Sequence, residues 1–291
     1  MDMNTITIIG MGLIGSSLAR KLKETGFAQK VIAADYDLDV CKKTVELDIA
    51  DEVTDNLEDS VKDADMVVLA VPVGVMGKVT QKIAPYLKKG SILTDTGSVK
   101  ASVIELIKPF CRSGIDFVPG HPIAGTEFSG PEAGFAELFE GRWCVLTPLP
   151  DVSAKAVEEV THLWEACGST VDIMDVKHHD LVLGITSHLP HLIAYTIVGT
   201  ANDLGDDIKS EVIKYSASGF RDFTRIASSD PTMWRDVFLN NKEAVLEILQ
   251  RFNEDLTAMQ RAIRKGDGEY LYRYFGDTRA IRKAIIDIGQ A

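Results

Sequence analysis

The chain has 291 residues, of which 45% are hydrophobic and 25% are charged, a composition typical of a globular protein with one large domain or two medium ones. Its 31 basic and 43 acidic residues give a net charge of −12. This balance argues against nucleic-acid and anionic-membrane partners, because both bind positive surfaces. The polar start and the lack of an apolar run of ~18–20 residues predict a soluble, cytoplasmic protein without a signal peptide or a membrane span. The four widely spaced cysteines are predicted to be reduced thiols.

Strand and helix patterns alternate over the first half of the chain. Strands are predicted at residues 5–9, 31–34, 49–53, 65–71, 91–94, 115–118, 143–146 and 170–174. Helices are predicted at residues 16–25, 41–47, 75–87 and 100–111. This alternation indicates an α/β fold in which a doubly wound parallel sheet carries helices on both faces. Residues 1–175 are therefore predicted to form a Rossmann-type domain.

The second half of the chain has a different pattern. Glycine and proline become rare, and helical spacing is found over residues 179–205, 209–216, 231–260 and 277–288. Residues 176–291 are therefore predicted to form an all-helical domain. Several of these helices are apolar on more than one face, which favours a homodimer through this domain, although a monomeric bundle would give a similar pattern.

A glycine fingerprint follows the first predicted strand. Gly10, Gly12 and Gly15 form a G-x-G-x-x-G pattern that opens a predicted helix. In a dinucleotide site the first glycine makes the tight turn, the second admits the pyrophosphate and the third lets the helix pack closely on the strand. The helix start offers free N–H groups to the phosphates. The predicted cofactor-binding residues are Gly10, Gly12, Leu13, Ile14, Gly15, Asp35, Val71 and Pro72.

Asp35 indicates which dinucleotide is bound. It lies twenty residues beyond Gly15, at the end of the second predicted strand. A carboxylate at this position accepts hydrogen bonds from the ribose hydroxyls and repels a 2′-phosphate, so the sequence predicts NAD rather than NADP. Asp37 is predicted to cap a helix or to lie in a turn.

Three segments are candidates for the chemistry. They are Thr94-Asp95-Thr96-Gly97-Ser98-Val99-Lys100, Gly120-His121-Pro122 with its continuation to Glu127, and a histidine-rich region from His179 to His191. The first two follow strands, at the end where parallel sheets place ligands. His121 could act as the base that oxidation of an alcohol needs, since histidine titrates near neutral pH. A buried structural histidine is the competing interpretation. No metal site is predicted, because the histidines lack the H-E-x-x-H spacing.

A family resemblance covers nearly the whole chain. The segments GMGLIGSSLA, TDTGSVK, GHPIAGTEFSG, SHLPH and GFRDFTRIASSDPTMWRD together resemble the prephenate/arogenate (cyclohexadienyl) dehydrogenase family. This resemblance implies NAD-dependent oxidation of the ring hydroxyl of prephenate or arogenate with loss of the ring carboxylate. The products are 4-hydroxyphenylpyruvate or tyrosine, so the resemblance implies a role in tyrosine biosynthesis.

The resemblance also assigns roles to residues. It implies that His121 accepts the hydroxyl proton and that Ser98 steadies that histidine, the hydroxyl and the nicotinamide end. It further implies that Arg225 holds a substrate carboxylate. A guanidinium suits this role because it can bind both carboxylate oxygens in a bidentate manner. His179 and His191 are implied to line the substrate pocket, with Ser187 beside them. Thr126 is neutral, which slightly favours prephenate over arogenate because arogenate carries an ammonium group.

Two other functions compete with this one. A 3-hydroxyacid type of dehydrogenase shares the domain organisation, but it typically relies on a lysine in the helical domain, where this chain offers histidines and an arginine. A non-catalytic NAD-binding sensor would need none of Ser98, His121 and Arg225.

Overall fold

The computed structural model describes residues 3–203, 211, 214–215 and 217–287. The helix predicted over residues 209–216 falls mostly outside these residues. The chain divides into two compact units, Met1–Lys242 and Glu243–Ala291. The division predicted after residue 175 rests on composition and stays a prediction.

The first unit is built on a six-stranded parallel sheet. Its strands are β1 (Met3–Ile9), β2 (Ala28–Ala34), β3 (Glu52–Thr54), β4 (Met66–Leu69), β5 (Ile92–Asp95) and β6 (Asp116–Val118). They lie in the order β3-β2-β1-β4-β5-β6 and every pairing is parallel. The predicted Rossmann-type sheet is therefore confirmed. The central strand β4 is entirely apolar and buried, and its neighbour β1 is buried from Ile6 to Ile9, as expected for strands covered on both faces.

Helices cover the sheet and continue beyond it. Those of the first unit are α1 (Leu13–Thr25), α2 (Leu38–Glu46), α3 (Leu57–Ser60), α4 (Val73–Ile83), α5 (Ala101–Ile107), α6 (Ala154–Ala166), α7 (Val176–Leu183), α8 (Leu189–Asn202), α9 (Ser218–Thr224) and α10 (Pro231–Asn240). Gly26 ends α1 in the left-handed conformation, at φ 64°. Asp37 caps α2 by accepting hydrogen bonds from the backbone N–H groups of Asp39 and Val40, which confirms the predicted cap.

A second, three-stranded sheet differs from the prediction. The strands β8 (Trp143–Leu146) and β9 (Thr170–Ile173) were expected in the main parallel sheet, and that expectation was wrong. They instead form a sheet with β7 (Gly120–Pro122), in the order β7-β8-β9, with β7 antiparallel to β8. The physical reason is the brevity of β7: three residues cannot show an alternating pattern, so nothing local marks a pairing partner for β8.

Residues 176–202 form one helical run. A π-helical stretch, Gly184–His188, joins α7 to α8, and Pro190 lies in the first turn of α8, where it needs no N–H partner. By length and composition Val176–Asn202 is apolar enough to cross a membrane, with a mean hydropathy of 1.5 in its most apolar window. The prediction that no such run exists was wrong. The run is weak evidence for a membrane span, because it also carries the buried polar residues His179, Asp180 and His188.

The second unit consists of two long helices over the residues described. They are α11, which starts at the unit boundary (Lys242–Lys265), and α12 (Gly268–Asp287). Residues 231–260 were predicted as one continuous helix, whereas Asn241 leaves the helical conformation at φ −113° and ψ 34° and separates α10 from α11. The helix α11 buries Val245 and Ile248 and exposes Leu246 and Leu256.

We expect two glycines of the fingerprint to differ in what they contribute to stability. A Cβ on Gly15 would lie 1.9 Å from the backbone oxygen of Gly10, whereas a Cβ on Gly12 would meet nothing within 4 Å. Gly15→Ala should therefore lower the free energy of unfolding by about 1–3 kcal/mol through overpacking. Gly12→Ala should change it by less than about 0.5 kcal/mol. Urea unfolding followed by circular dichroism measures both, and equal effects would contradict this account of Gly15.

Candidate active site

The site lies where the parallel strands end. Sheet order reverses between β1 and β4, and a crevice forms outside the carboxyl ends of strands at such a point. The fingerprint follows β1, Val71 follows β4, and the Thr96–Lys100 loop follows β5. The fingerprint, Val71 and the loop after β5 therefore all start from one edge of the sheet.

The fingerprint residues fit a dinucleotide. Gly10 has φ 98°, and a Cβ there would lie 2.7 Å from both the Ala70 oxygen and a methyl carbon of Val71, which places Val71 against the turn. Gly12 is the N-cap of α1 and faces open space, and the first turn of α1 contains no acidic residue. The start of this helix is therefore open to an anionic group such as a pyrophosphate. Leu13 and Ile14 are the first residues of α1, and Pro72 is the N-cap of α4.

Asp35 is held beside this turn. One carboxylate oxygen accepts a hydrogen bond from the Met11 backbone N–H at 2.8 Å, and the other accepts one from the Asp37 N–H at 3.0 Å. The side chain is nearly buried, with 9% of the residue exposed. Asp35 thus lies beside the glycine turn just beyond β2, and its role as an acceptor for ribose hydroxyls stays a prediction.

His121 lies in β7, directly after β6, and is nearly buried, with 7% of its surface exposed. Its Nδ1 is 2.9 Å from Nε2 of His179, and the two rings meet edge to face. Burial, helped by the charges of His179 and Lys100, holds the pKa of His121 well below its usual value. The ring is therefore neutral at neutral pH and can accept a proton.

His179 lies behind His121 and not at the surface of a pocket. It is fully buried, its Nε2 meets His121, and its Nδ1 is 2.8 Å from the Asp180 carboxylate. Both ring nitrogens are thus already hydrogen-bonded within the protein. The predicted contact of His179 with substrate stays a prediction, and this geometry does not favour it.

A buried ion pair that sequence reasoning missed lies under His121. Lys100, which has the pattern of a helix opener, is fully buried; its Nζ donates to the Asp95 carboxylate and to the Gly120 carbonyl, both at 2.5 Å. The backbone N–H groups of Lys100 and Ala101 donate to the two oxygens of Asp180, at 2.8 and 2.9 Å. The only feature of the sequence that could have indicated this ion pair is that Asp95 and Lys100 both come soon after the same predicted buried strand.

The π-helical stretch supplies a second cluster. His188 is fully buried, and its Nδ1 is 3.0 Å from the side-chain nitrogen of Asn241, which also donates to the Asp180 carbonyl. His191 donates from Nδ1 to the Ser187 carbonyl at 2.9 Å and stacks on Trp234 at 3.6 Å between ring centres. Asn241 was not predicted from the sequence, because its partners are more than fifty residues away along the chain.

Arg225, Thr126 and Ser98 are more accessible to solvent than His121 and His179. Arg225 is 58% exposed in its side chain and forms an ion pair with Glu127 at 2.8 Å. This brings the loop after β7 together with the end of α9, as the prediction of a shared site requires. Thr126 is exposed and Ser98 is half-buried. Within the described residues no hydrogen bond joins the Ser98 hydroxyl to His121, so the steadying role of Ser98 stays a prediction.

We expect stability to fall in mild acid because of His188. Burial lowers its pKa to about 4, whereas an unfolded histidine titrates near ~6.5, so between these values the unfolded chain binds more protons. Above pH ~6.5 the neutral ring makes its full contribution to the free energy of unfolding, about 3 kcal/mol relative to pH 4. This contribution is lost as the pH falls towards 4. His188→Gln should flatten the dependence of unfolding free energy on pH over this range. His178→Gln, at an exposed position, should not; equal slopes would contradict the assignment.

Comparison with known proteins gives a consistent result. A family model described as the prephenate dehydrogenase nucleotide-binding domain matches residues 18–173, and one described as the prephenate dehydrogenase dimerization domain matches residues 175–277. A cyclohexadienyl dehydrogenase of Zymomonas mobilis is 43% identical over 282 residues, which is 96% of this chain and 95% of that protein.

Two solved structures extend the comparison. Prephenate dehydrogenase from Aquifex aeolicus, in complex with hydroxyphenyl propionate and NAD+, is 36% identical with a TM-score of 0.91, over 98% of this chain and 99% of that one. Arogenate dehydrogenase of Synechocystis is 27% identical with a TM-score of 0.80, over 97% and 99% of the two chains. The sequence resemblance and the NAD-binding prediction are thereby confirmed, and this chain belongs to the prephenate dehydrogenase family.

Proposed function

We propose that this protein oxidises the ring hydroxyl of prephenate, arogenate or both, with loss of the ring carboxylate as CO2. One observation carries the proposal: a neutral, nearly buried His121 lies at the carboxyl edge of a dinucleotide-binding sheet, with Nδ1 bonded inward to His179. NAD, when bound at the fingerprint, supplies the hydride acceptor. Oxidation places a ketone opposite the carbon that bears the carboxylate, and departure of CO2 leaves its electron pair to complete an aromatic ring.

His121 is the proton acceptor in this proposal. Because Nδ1 is engaged with His179, Nε2 is the nitrogen left to receive the proton of the substrate hydroxyl. The low pKa of the ring keeps Nε2 unprotonated at neutral pH. Ser98, in the half-buried loop after β5, would contact the same hydroxyl.

Arg225 is the anchor for a substrate carboxylate. Its side chain is largely exposed and its partner Glu127 is itself a carboxylate. An exposed ion pair of this kind is worth ~0–1 kcal/mol, so a substrate carboxylate can replace Glu127 at little cost. Ser187 and His191 supply further polar groups beside Trp234.

The preference between substrates rests on Thr126 and Glu127. Thr126 is neutral and exposed, which favours the keto acid prephenate. Glu127 could attract the ammonium group of arogenate, but in this structure it is paired with Arg225. We therefore propose prephenate as the better substrate and arogenate as an accepted one.

The experiment follows NADH absorbance with purified protein, NAD or NADP, and each substrate. Wild type should turn over with NAD. His121→Asn should lower kcat by ~10²–10⁴, as loss of a general base does.

Arg225→Ala should chiefly raise KM, by about 10-fold or more, because a hydrogen bond to a charged group is lost. Arg251→Ala, which removes another exposed ion-paired arginine, is the control. If the protein oxidises neither substrate, the proposal is wrong. A preference for NADP over NAD would contradict the role of Asp35.

We further propose that the protein is a cytoplasmic homodimer. The four cysteines are free, and α8 exposes Ile197 and Val198 on a helix whose apolar residues find little cover within the described part of the chain. Large apolar surfaces of this kind are typical of subunit contacts. The dimerization-domain match covers the same helix.

Sedimentation velocity tests the dimer. Wild type should sediment as a dimer at micromolar concentration, and Ile197→Glu should shift it to a monomer because a charge would be buried in the contact. Val45→Glu, at an exposed apolar position of α2, should leave the dimer unchanged. A monomeric wild type would contradict the proposal.

A further inference from the structure

Three side chains are joined in a row at the base of the site, and we call them the Asp180–His179–His121 network. The Asp180 carboxylate is 2.8 Å from Nδ1 of His179, and Nε2 of His179 is 2.9 Å from Nδ1 of His121. A carboxylate only accepts, so His179 carries its hydrogen on Nδ1 and presents a lone pair at Nε2. His121 must then donate from Nδ1, which leaves its own Nε2 with a lone pair.

The network is rigidly held. Asp180 accepts from the backbone N–H groups of Lys100 and Ala101, and its own carbonyl accepts from the Asn241 side chain. Asp180 is 5% exposed and His179 is fully buried. With Asp180 fixed in this way, neither ring can turn without breaking a buried hydrogen bond.

The surroundings make His179 a better place than His121 for a positive charge. Burial lowers the pKa of both rings. The charges that face His121 are those of His179, Lys100 and His188, and all three lower its pKa further. At His179 the hydrogen bond and charge of Asp180 raise the pKa, as does the charge of Asp95, against burial and Lys100.

We propose that the proton taken from substrate is shared along this network and that its charge comes to rest on His179 beside Asp180. The inference rests on the proposed function. As the substrate O–H bond breaks, a new N–H bond forms at Nε2 of His121. The Nδ1–H of His121 passes to Nε2 of His179, so that His121 is neutral again and His179 is an imidazolium. Asp180 remains a carboxylate throughout, and Asp180 and His179 are positioning residues since neither is required to touch substrate.

The competing account is that Asp180 only caps the start of α5. That role would make Asp180→Asn less stable without affecting where His121 carries its hydrogen. The two accounts differ in a property of the folded wild-type protein, namely the tautomers of two histidines, and in how the rate depends on pH.

The first measurement uses the unmodified protein. Nitrogen-15 spectra of histidine-labelled protein at neutral pH should show His121 and His179 as neutral rings with hydrogen on Nδ1, the rarer tautomer. Assignment uses the signals that disappear in His121→Asn and His179→Gln. Hydrogen on Nε2 of His121 would overturn the proposal whatever the variants do.

The second measurement is kinetic, with NADH formation from prephenate and NAD. Asp180→Asn and His179→Gln should each lower kcat by about 10²-fold or more, with the dissociation constant for NAD within about twofold of wild type. His178→Gln, an exposed neighbour on the same helix, should keep wild-type kcat. His179→Gln leaves the two backbone hydrogen bonds to Asp180 available, so it decides the matter if Asp180→Asn does not fold.

The dependence of kcat/KM on pH distinguishes a positioning role of Asp180 from a role in the stability of the fold alone. Asp180 favours the protonated network, so in Asp180→Asn the acid limb of kcat/KM should move to lower pH. A fall in kcat with an unmoved acid limb would mean that Asp180 serves the fold alone. If wild type is active and His121→Asn is not, while both network variants keep kcat within about threefold, this inference fails and the proposed function stands. An inactive wild type would instead fail the proposed function.

Discussion

The buried ion pair between Asp95 and Lys100 holds together the segments that carry the site. Lys100 links the end of β5 to the Gly120 carbonyl next to His121, and Asp95 accepts from the Gly97 N–H in the loop between them. Both side chains are fully buried, so removal of either partner would leave an uncompensated charge, at a cost of about 3–5 kcal/mol. The same lysine lowers the pKa of His121. This interaction therefore helps to fix the position of His121, and its lysine adds to the effect of burial and of His179 in lowering the pKa of that ring.

The helical run after residue 175 combines two properties that rarely occur in one helix. In its first part the side chains of His179, Asp180 and His188 are buried inside the first unit. There Asp180 accepts hydrogen bonds from the start of α5, and Asn241 bonds to Asp180 and His188. The π-helical stretch inserts an extra residue into the turn, which alters the direction of the side chains that follow, as such stretches often do near functional sites. Its second half exposes aliphatic side chains. The apolar side chains of the first half therefore accompany polar groups that pack into the protein, and the exposed aliphatic side chains of the second half fit the proposed dimer contact.

Sequence patterns predicted the features that depend on neighbours along the chain. The glycine turn, the alternating strands and helices, the Asp37 cap and the position of His121 after a strand all follow from local spacing. The features that were missed depend on residues far apart. Asp180 meets Lys100 across 80 positions and Asn241 meets His188 across 53, and no spacing in one sequence reveals such pairs. The three-residue β7 was missed because it is too short to show a period.

The two halves of the site differ in how firmly they are held, and the difference matches what each has to do. His121 and His179 are buried, and each hydrogen bond fixes the donor of the next, so the proposed proton transfer has one route. Arg225 and Glu127 form an exposed pair whose exchange costs little. Geometry that must be accurate to a fraction of an ångström is thus built into the core, where it depends on folding. The proposed recognition of a substrate carboxylate by Arg225 would take place at the surface, where partners can be exchanged without disturbing the proposed proton acceptor.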